Sequence, residues 1–523
     1  MVSRHERATL LHIAEELRCY ILSFLPYNQV LRCALICRTM YITVKNSVDL
    51  QYAIELGAQG LVQVHPATVS TGECLRILRE KANAWSSFKL EVTKSLHFDW
   101  LPNSLSITHR QLGLAAHSAE VKCDLIDTTA CTSKTANDPP CTWRKDDPAP
   151  GVSPRNHYVD ETHDLWVSVD SLETRPRRNS RFQINFRQLS TGKEHLLASG
   201  SQLVTVTRAP SKRLSSRVRV YRRAFIDVLG DRLALYGEAV VKDGYGYWSL
   251  HVWNWHESVQ ADDICVVGEG YHGFAEIRFL TKEKLLAFTR DGEIELYDVE
   301  DLSKAPRLQA RFILPYSHHL YEIQYPPVLH SASSCAHLAT PNNHWIWTTN
   351  PADRVLCLSS PGSDPLIVIT ARLFFMNIPS SWFDATSGDG LSVPWSSWGP
   401  QNSRLFSGRI RGAGGSRVIS FARQDYYDDE DPTILVQMMD FNPSAVARGI
   451  GKVVREATTY HPFHKDDMSV TTYLPYVEVV SSRVLHDRPL AFALDEEQVA
   501  LLEQSDDLLG ARVKIIGPQS TSP

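Results

Sequence analysis

Along the first 90 residues the apolar positions recur at helical spacing. Ile13, Leu17, Ile21 and Leu25 stand four apart, with Leu11 and Leu22 flanking the same stripe, and Pro26 stops that helix. Asn28 is the expected N-cap of a second helix carrying Val30, Leu31 and Leu35. A third stripe runs through Cys37, Met40, Tyr41 and Val44, and Ser47 is placed to cap a short fourth helix over Leu50 and Ile54 to Gly57. A further helix is expected from Thr71 as N-cap through Leu75, Leu78 and Ala82 to Trp85. These helices are short and apolar on more than one side. A bundle of about 50 residues barely buries its own stripes, so this one should lean on a partner or on the chain that follows.

After about Lys89 the helical period gives way to short β-type runs separated by Gly, Asp, Asn, Pro and Ser. One unit joins Phe225–Tyr236, a turn at Asp243–Gly246 and Trp248–Trp255; the next joins Gly273–Phe279, Lys284–Thr289 and Glu293–Val299. Each supplies three strands with a fourth nearby, at a period of about 45–50 residues, which is that of a propeller blade. Weaker echoes pair Asp164–Val169 with Phe182–Phe186, His344–Trp347 with Val355–Leu358, and Arg404–Phe406 with Arg417–Phe421. Pro489–Ala493 and Gln498–Leu502 are placed to close the ring. The expected fold is therefore multidomain α and β: a helical module at 1–57, a helical linker at 58–88, and a mostly antiparallel β-propeller-like domain at 89–523 with six or seven blades. An irregular pair of β-sandwiches is the alternative. The change of pattern predicts that a fragment from about Ser86 to Pro523 stays soluble and β-rich. Thr128–Pro154, Arg175–Arg181, Ala209–Ser216 and Asp428–Asp431 read as solvated loops.

The helical start carries an ordered set of signatures: Glu16-Leu17, then Ile21, then Phe24-Leu25-Pro26, then Val30-Leu31-Arg32-Cys33 and Leu35-Ile36-Cys37-Arg38. In order and spacing these resemble the F-box, the adaptor-binding module of cullin-type ubiquitin ligase receptors, over Leu10 to Ser47. One position departs: Ile13-Ala14 stands where the family opens with Leu-Pro. Leu50–Leu56, Leu75–Trp85, Gly230–Leu235 and Leu250–Trp255 look like the linker and β region of the large F-box families of mushroom-forming fungi. The resemblance implies a substrate-recognition subunit of an SCF-type ligase. Its F-box would hold a Skp-type adaptor, and through it cullin and RING proteins, while its β region presents an unknown protein target. Ile13, Leu17, Ile21, Leu25, Pro26, Leu31, Leu35 and Cys37 are the expected adaptor contacts, consistent with helix-in-groove docking by apolar anchors. Such a receptor works by proximity and is not itself an enzyme, so no cofactor and no catalytic residue are expected. Two other readings stay open: a propeller scaffold whose helices are only a cap, and a propeller hydrolase with paired channel carboxylates.

Composition narrows these options. The 523 residues are 43% hydrophobic and 22% charged, an ordinary globular balance. With 54 Lys+Arg against 59 Asp+Glu, the net charge of −5 argues against a nucleic-acid partner. No apolar run is long enough for a membrane span. Glu15, Glu16 and Arg18 interrupt any signal-peptide core. Ten irregularly spaced cysteines and the lack of Asn-x-Ser/Thr acceptors fit reduced thiols in the cytoplasm or nucleus.

The motifs that look chemical read as structural. Cys33 and Cys37, expected four apart on one helix, have no second ligand pair in nearby sequence. Cys123, Cys131 and Cys141 lack zinc-module spacing, and Pro462 forbids a helix through the His461, His464, Asp466, Asp467 cluster. Asp428–Asp431 lacks the alternating ligands and glycine of a calcium loop. Gly412–Gly415 reads as a turn without the Lys-Ser/Thr of a phosphate cradle, and no Gly-x-Ser-x-Gly elbow occurs. Arg217, Arg219 and Arg223, with Arg222, are candidates for reading a phosphorylated target; as strand-edge charges they would protect an exposed edge instead.

Overall fold

The computed structural model describes residues 10–64, 69–102, 104–108, 111–117, 121–127, 157–160, 163–172, 180–188, 191–200, 202–206, 220–241, 246–257, 265–270, 274–289, 291–316, 322–324, 347–360, 363–406, 410–423, 434–449, 451–461, 469–485, 490–504 and 510–518. The chain opens with a 3-10 turn, Leu10–His12, and five α-helices: α1 (Glu15–Ser23), α2 (Tyr27–Ala34), α3 (Arg38–Asn46), α4 (Val48–Ala58) and α5 (Thr71–Ser86). Three caps settle where they start. Ser47 accepts the Leu50 N–H at the head of α4, as its sequence position implies. The head of α2 is Pro26 and not Asn28, because the fixed proline φ supplies the extended residue that a helix start needs. The cap of α5 is Ser70, one residue before Thr71, and it accepts the Glu73 N–H. Between α4 and α5 the stretch expected to be helical contains a strand, Leu61–Gln63, paired antiparallel with Trp347–Thr349.

Seven larger sheets follow among the described residues, built almost wholly from antiparallel neighbours in chain order. Sheet I contains 104–108, 111–117 and 121–127; sheet II 157–160, 165–172, 180–188 and 202–206; sheet III 220–229, 232–241, 246–254 and 265–270. Sheet IV contains 274–281, 284–289, 293–298 and 307–313, extended by a parallel pairing with 392–393; sheet V contains 322–324, 355–360, 363–370 and 403–406. Sheet VI contains 410–414, 417–423, 434–440, 476–485 and 452–454, and sheet VII contains 491–494, 499–504, 511–517 and 91–98. In sheet VII the strand that leaves α5, Glu91–Phe98, pairs with the C-terminal Ala511–Gly517, so the two ends of the β region close on each other. The C-terminal strands thus occupy the ring-closing place expected of them.

Among the described residues, apolar clusters join six pairs of these sheets. Val167 and Phe182 meet Ile226 and Trp253 between II and III, and Tyr236 and Leu250 meet Ile277 and Leu285 between III and IV. Leu296 and Phe312 meet Leu356 and Ile367 between IV and V; Val355 and Val368 meet Val418 and Met439 between V and VI. Ile419 and Met438 meet Phe492 and Leu501 between VI and VII, and Leu112 of sheet I packs on Val513 and Ile515 of sheet VII. Four-stranded meanders stacked face to face in chain order, with the last completed by the first strand, are the arrangement of a β-propeller. This is a mostly antiparallel, propeller-like region behind an N-terminal helical module.

Two of the weaker sequence echoes pair differently from expectation. Trp347–Thr349 joins the linker strand and not Val355–Ser360, and Arg404–Phe406 belongs to sheet V whereas Arg417–Phe421 belongs to sheet VI. Residues 344–346 of the first echo lie outside the described residues; the second had the right strands with the wrong neighbour, because alternation marks a strand but not its partner. The glycine run at 412–415 is mostly strand, with only Gly415 (φ +59) in the turn. A Cβ on Gly414 would lie 2.3 Å from the Asp495 carbonyl oxygen, so glycine there lets sheets VI and VII approach.

A buried carboxylate between sheets III and IV gives the β region a pH signature. Asp227 is 5% exposed and accepts the Phe279 N–H at 2.6 Å, with Arg278 Nη1 at 3.5 Å; Arg278 also pairs with Glu276. Burial pushes Asp227 up to about 6, only partly offset by the Arg278 charge. The folded state therefore holds this proton more tightly than the unfolded chain, where the group titrates near 3.8. Its contribution is fully present below about pH 4 and is lost as pH rises through 6, leaving a cost of about 3 kcal/mol at neutral pH. Asp227→Asn should remove that increment. The thermal midpoint difference between pH 5 and pH 7 should shrink in the variant, and an unchanged difference would assign the pH dependence elsewhere.

Candidate adaptor-binding face

The helical module is too short to bury its apolar residues, and it sorts them into two sets. Leu22, Val30, Met40, Val44 and Leu50 form its core, with Cys19, Leu25, Cys33, Cys37 and Ile54 packed around them. Left outside are Leu17 (55% exposed), Tyr20 and Ile21 on α1, Phe24 (70%) just after it, and Leu31, Leu35 (85%) and Ile36 on α2 and the turn after it, together with Leu10, Leu11, Tyr41, Ile42 and Val48 elsewhere in the module. Aromatic and aliphatic groups of this size, left exposed on α1 and α2, are of the kind that docks another chain.

The expected contact residues divide accordingly. Leu17, Ile21, Leu31 and Leu35 lie on the exposed face, and Pro26 is exposed at the α1–α2 corner. Ile13 is half-buried, with its carbonyl accepting Arg18 Nη1 at 3.4 Å. Leu25 and Cys37 face the core, so their first role is to hold the corner and not to present it. Cys33 lies in the last turn of α2 while Cys37 caps α3, so the pair does not share one helix. Tyr20, Phe24 and Ile36 were not among the expected contacts. Tyr20 and Phe24 stand four apart and meet edge to face at 4.9 Å, a spacing that the sequence displays beside the main stripe.

The departure at Ile13-Ala14 has a backbone explanation. Ala14 caps α1 with φ −56° and ψ 150°, nearly the −56° and 146° of Pro26 at the head of α2. Alanine there adopts the conformation that a proline would impose. Ala14→Pro should therefore stabilise the helical module by about 0.4–1 kcal/mol through the unfolded chain. Denaturant unfolding followed by helical circular dichroism reads this out, and a lower midpoint would show that the Ala14 N–H or the Ile13 backbone resists the ring.

The module is also fastened to the β region. Tyr27 Oη meets Ser444 Oγ at 2.7 Å, Arg448 Nη2 donates to the Ala58 carbonyl at 2.9 Å, and Trp347 Nε1 donates to Tyr52 Oη at 2.6 Å. From α5, Lys81 pairs with Glu497 at 2.5 Å, and Trp85 is buried beneath the Arg417 guanidinium, 4.6 Å from its ring centre. Trp85 packs with Ile419, Val436 and Phe492, so the helices complete the β core at this junction.

The F-box domain matches residues 10–51. That span covers the 3-10 turn, α1–α3 and the start of α4, including the whole apolar face, and it supports an F-box protein. Among solved structures the chain is similar to the WD40 domain of SCAP from fission yeast, at 8% identity and TM-score 0.35, over 82% of this chain and 94% of that one. It is also similar to the WD40 beta propeller domain of Doa1, at 8% identity and TM-score 0.32, over 83% and 98%. Comparison with curated proteins finds no match. The propeller-like description rests on the sheet order and packing given above.

Arg223 is exposed on strand Val220–Leu229, in register with Glu238; Arg217 and Arg219 lie outside the described residues. His461 Nδ1 bonds Ser469 Oγ at 2.8 Å, while His464, Asp466, Asp467, Cys131, Cys141 and Asp428–Asp431 are likewise outside them. Cys123 lies on strand Val121–Asp127. Among the described residues no group of three or more His, Cys, Asp or Glu is placed to hold a metal, and no helix is long and apolar enough to cross a membrane.

Proposed function

We propose that the chain is the substrate-recognition subunit of an SCF-type cullin–RING ubiquitin ligase, acting in the cytoplasm or nucleus. The observation that carries this reading is the coincidence of the F-box match with a set of large apolar side chains left exposed inside the matched span. Leu17, Tyr20, Ile21, Phe24, Leu31 and Leu35 are the anchors for a Skp-type adaptor, which links the chain to cullin and RING proteins. The β region holds a protein target, and the bound conjugating enzyme transfers ubiquitin by proximity, with no side chain of this chain reacting. Mushroom-fungal family membership is part of the same reading, on the linker and β-region phrases quoted above.

The scaffold alternative draws on the fastening of the helices to the β region, which a simple cap would also need. A hydrolase has less support: Asp227 and Glu276, acidic groups on the first strands of sheets III and IV, are both engaged with Arg278. Titration of the full-length chain with a purified Skp-type adaptor separates the readings. Binding at micromolar concentration or tighter is expected. No binding, with the helices folded by circular dichroism, would remove the ligase reading and leave the scaffold.

A further inference from the structure

The helical module joins the β region through a strand pairing whose far side is held by one carboxylate. Val62 of the linker strand stands opposite Thr348, and the Asn350 N–H donates to the Gly60 carbonyl at 2.7 Å. Behind Trp347–Thr349 sits Glu496, in the turn between strands Ala491–Leu494 and Val499–Gln504 of the ring-closing sheet. Its carboxylate accepts the Thr349 N–H at 2.8 Å, the Thr348 hydroxyl at 3.0 Å and Arg354 Nη2 at 2.7 Å. Arg354 has no exposed surface, and it also donates to Thr348 Oγ1 at 2.7 Å and to the Thr349 carbonyl at 3.3 Å. Charge-assisted bonds converging in a buried site are short, directional and costly to leave half-made, so this cluster holds the ribbon in one orientation.

Resting on the receptor reading above, we propose that this ribbon sets the angle between the adaptor-binding face and the β region, and that Glu496 is a positioning residue for ubiquitin transfer. Glu496 is 90% buried within the chain (side-chain exposure 10%) and its carboxylate bonds Thr348, Thr349 and Arg354, all outside the F-box span of 10–51, so it acts through the ribbon and not on adaptor affinity. Transfer by proximity depends on where the target's lysines are held, and a loose joint spreads them over a larger volume. Thr348, Arg354 and Glu496 thus add a polar link between the linker strand and the ring-closing sheet, beside the Lys81–Glu497 pair and the packing of Trp85 on Phe492.

The test uses the full chain with spin labels on genetically encoded ketone side chains at two exposed positions, Lys45 of α3 and Val267 of sheet III. Pulsed dipolar spectroscopy should give one narrow distance distribution in the wild type. Glu496→Gln removes the carboxylate that Arg354 Nη2 meets at 2.7 Å, and Val62→Pro breaks the linker side of the ribbon without touching the ion cluster, so the second serves if the first does not fold. Each should at least double the width of the distribution while adaptor affinity stays within twofold of wild type. An unchanged width in a folded variant, or a loss of adaptor affinity that matches the broadening, would overturn the proposal. Failure of the wild type to bind adaptor would instead overturn the receptor reading, whatever the distance distribution shows.

Discussion

Leu31→Ala should weaken capture of a Skp-type adaptor at least tenfold while the thermal transition of the β region stays where it is. Leu31 is 42% exposed and lies outside the core of the helical module, so truncation leaves no internal cavity. Interface anchors of this kind typically lose about 2 kcal/mol or more on truncation, roughly thirtyfold in affinity. Leu22→Ala is the contrasting control. Leu22 is 1% exposed, and the same truncation in a packed core costs about 2–5 kcal/mol of folding stability. Calorimetric titration and helical circular dichroism on the same samples distinguish the two outcomes. Equal, tight binding by wild type and Leu31→Ala would take Leu31 out of the interface. Pro26→Ala should do less than Leu31→Ala, since it relaxes the α1–α2 corner and removes only a small exposed contact.

What the sequence disclosed, and what it withheld, follows from range. Helix existence is local, and the stripes from Ile13 to Ile54 and from Leu75 to Trp85 are enough to place five helices and the Ser47 cap. Strand existence is local too, and the runs at Phe225–Tyr236 and Glu293–Val299 fall on strands of sheets III and IV. Pairing is not local. Nothing near Leu61 announces that Leu61–Gln63 bonds to residues almost 290 positions away, at Trp347–Thr349, and nothing near Arg404 and Arg417 tells which sheet each strand joins. The F-box face was half legible. The i, i+4 stripe named Leu17, Ile21 and Leu31 as apolar but could not tell them from Leu25, which faces the core, because both sides of a small bundle are apolar. Glu496 carried no motif at all: its role comes from three partners gathered by the fold from positions 348, 349 and 354.

The fragment from Ser86 to Pro523 should lose cooperative folding or aggregate, against the independence that the change of pattern at Lys89 suggests. Cutting there removes Trp85 from the cluster it shares with Ile419, Val436, Phe492 and Leu501, and leaves that apolar surface open to water. It also strips Leu61–Gln63 from Trp347–Thr349, uncovers Trp347 where it packs on Cys74 and Leu78, and breaks the Lys81–Glu497 pair. The strand Glu91–Phe98, which closes the ring, would then begin at a frayed end five residues after the cut. Trp85→Ala alone costs about 3–5 kcal/mol by loss of a buried aromatic side chain, against total stabilities of about 5–15 kcal/mol. The full chain carrying Trp85→Ala should thus show a lower thermal midpoint for the β signal, and the fragment a larger loss. Retention by the fragment of a single transition at the full-length midpoint would mean that the sheets close without the helices, and that α5 is a passenger on a finished ring.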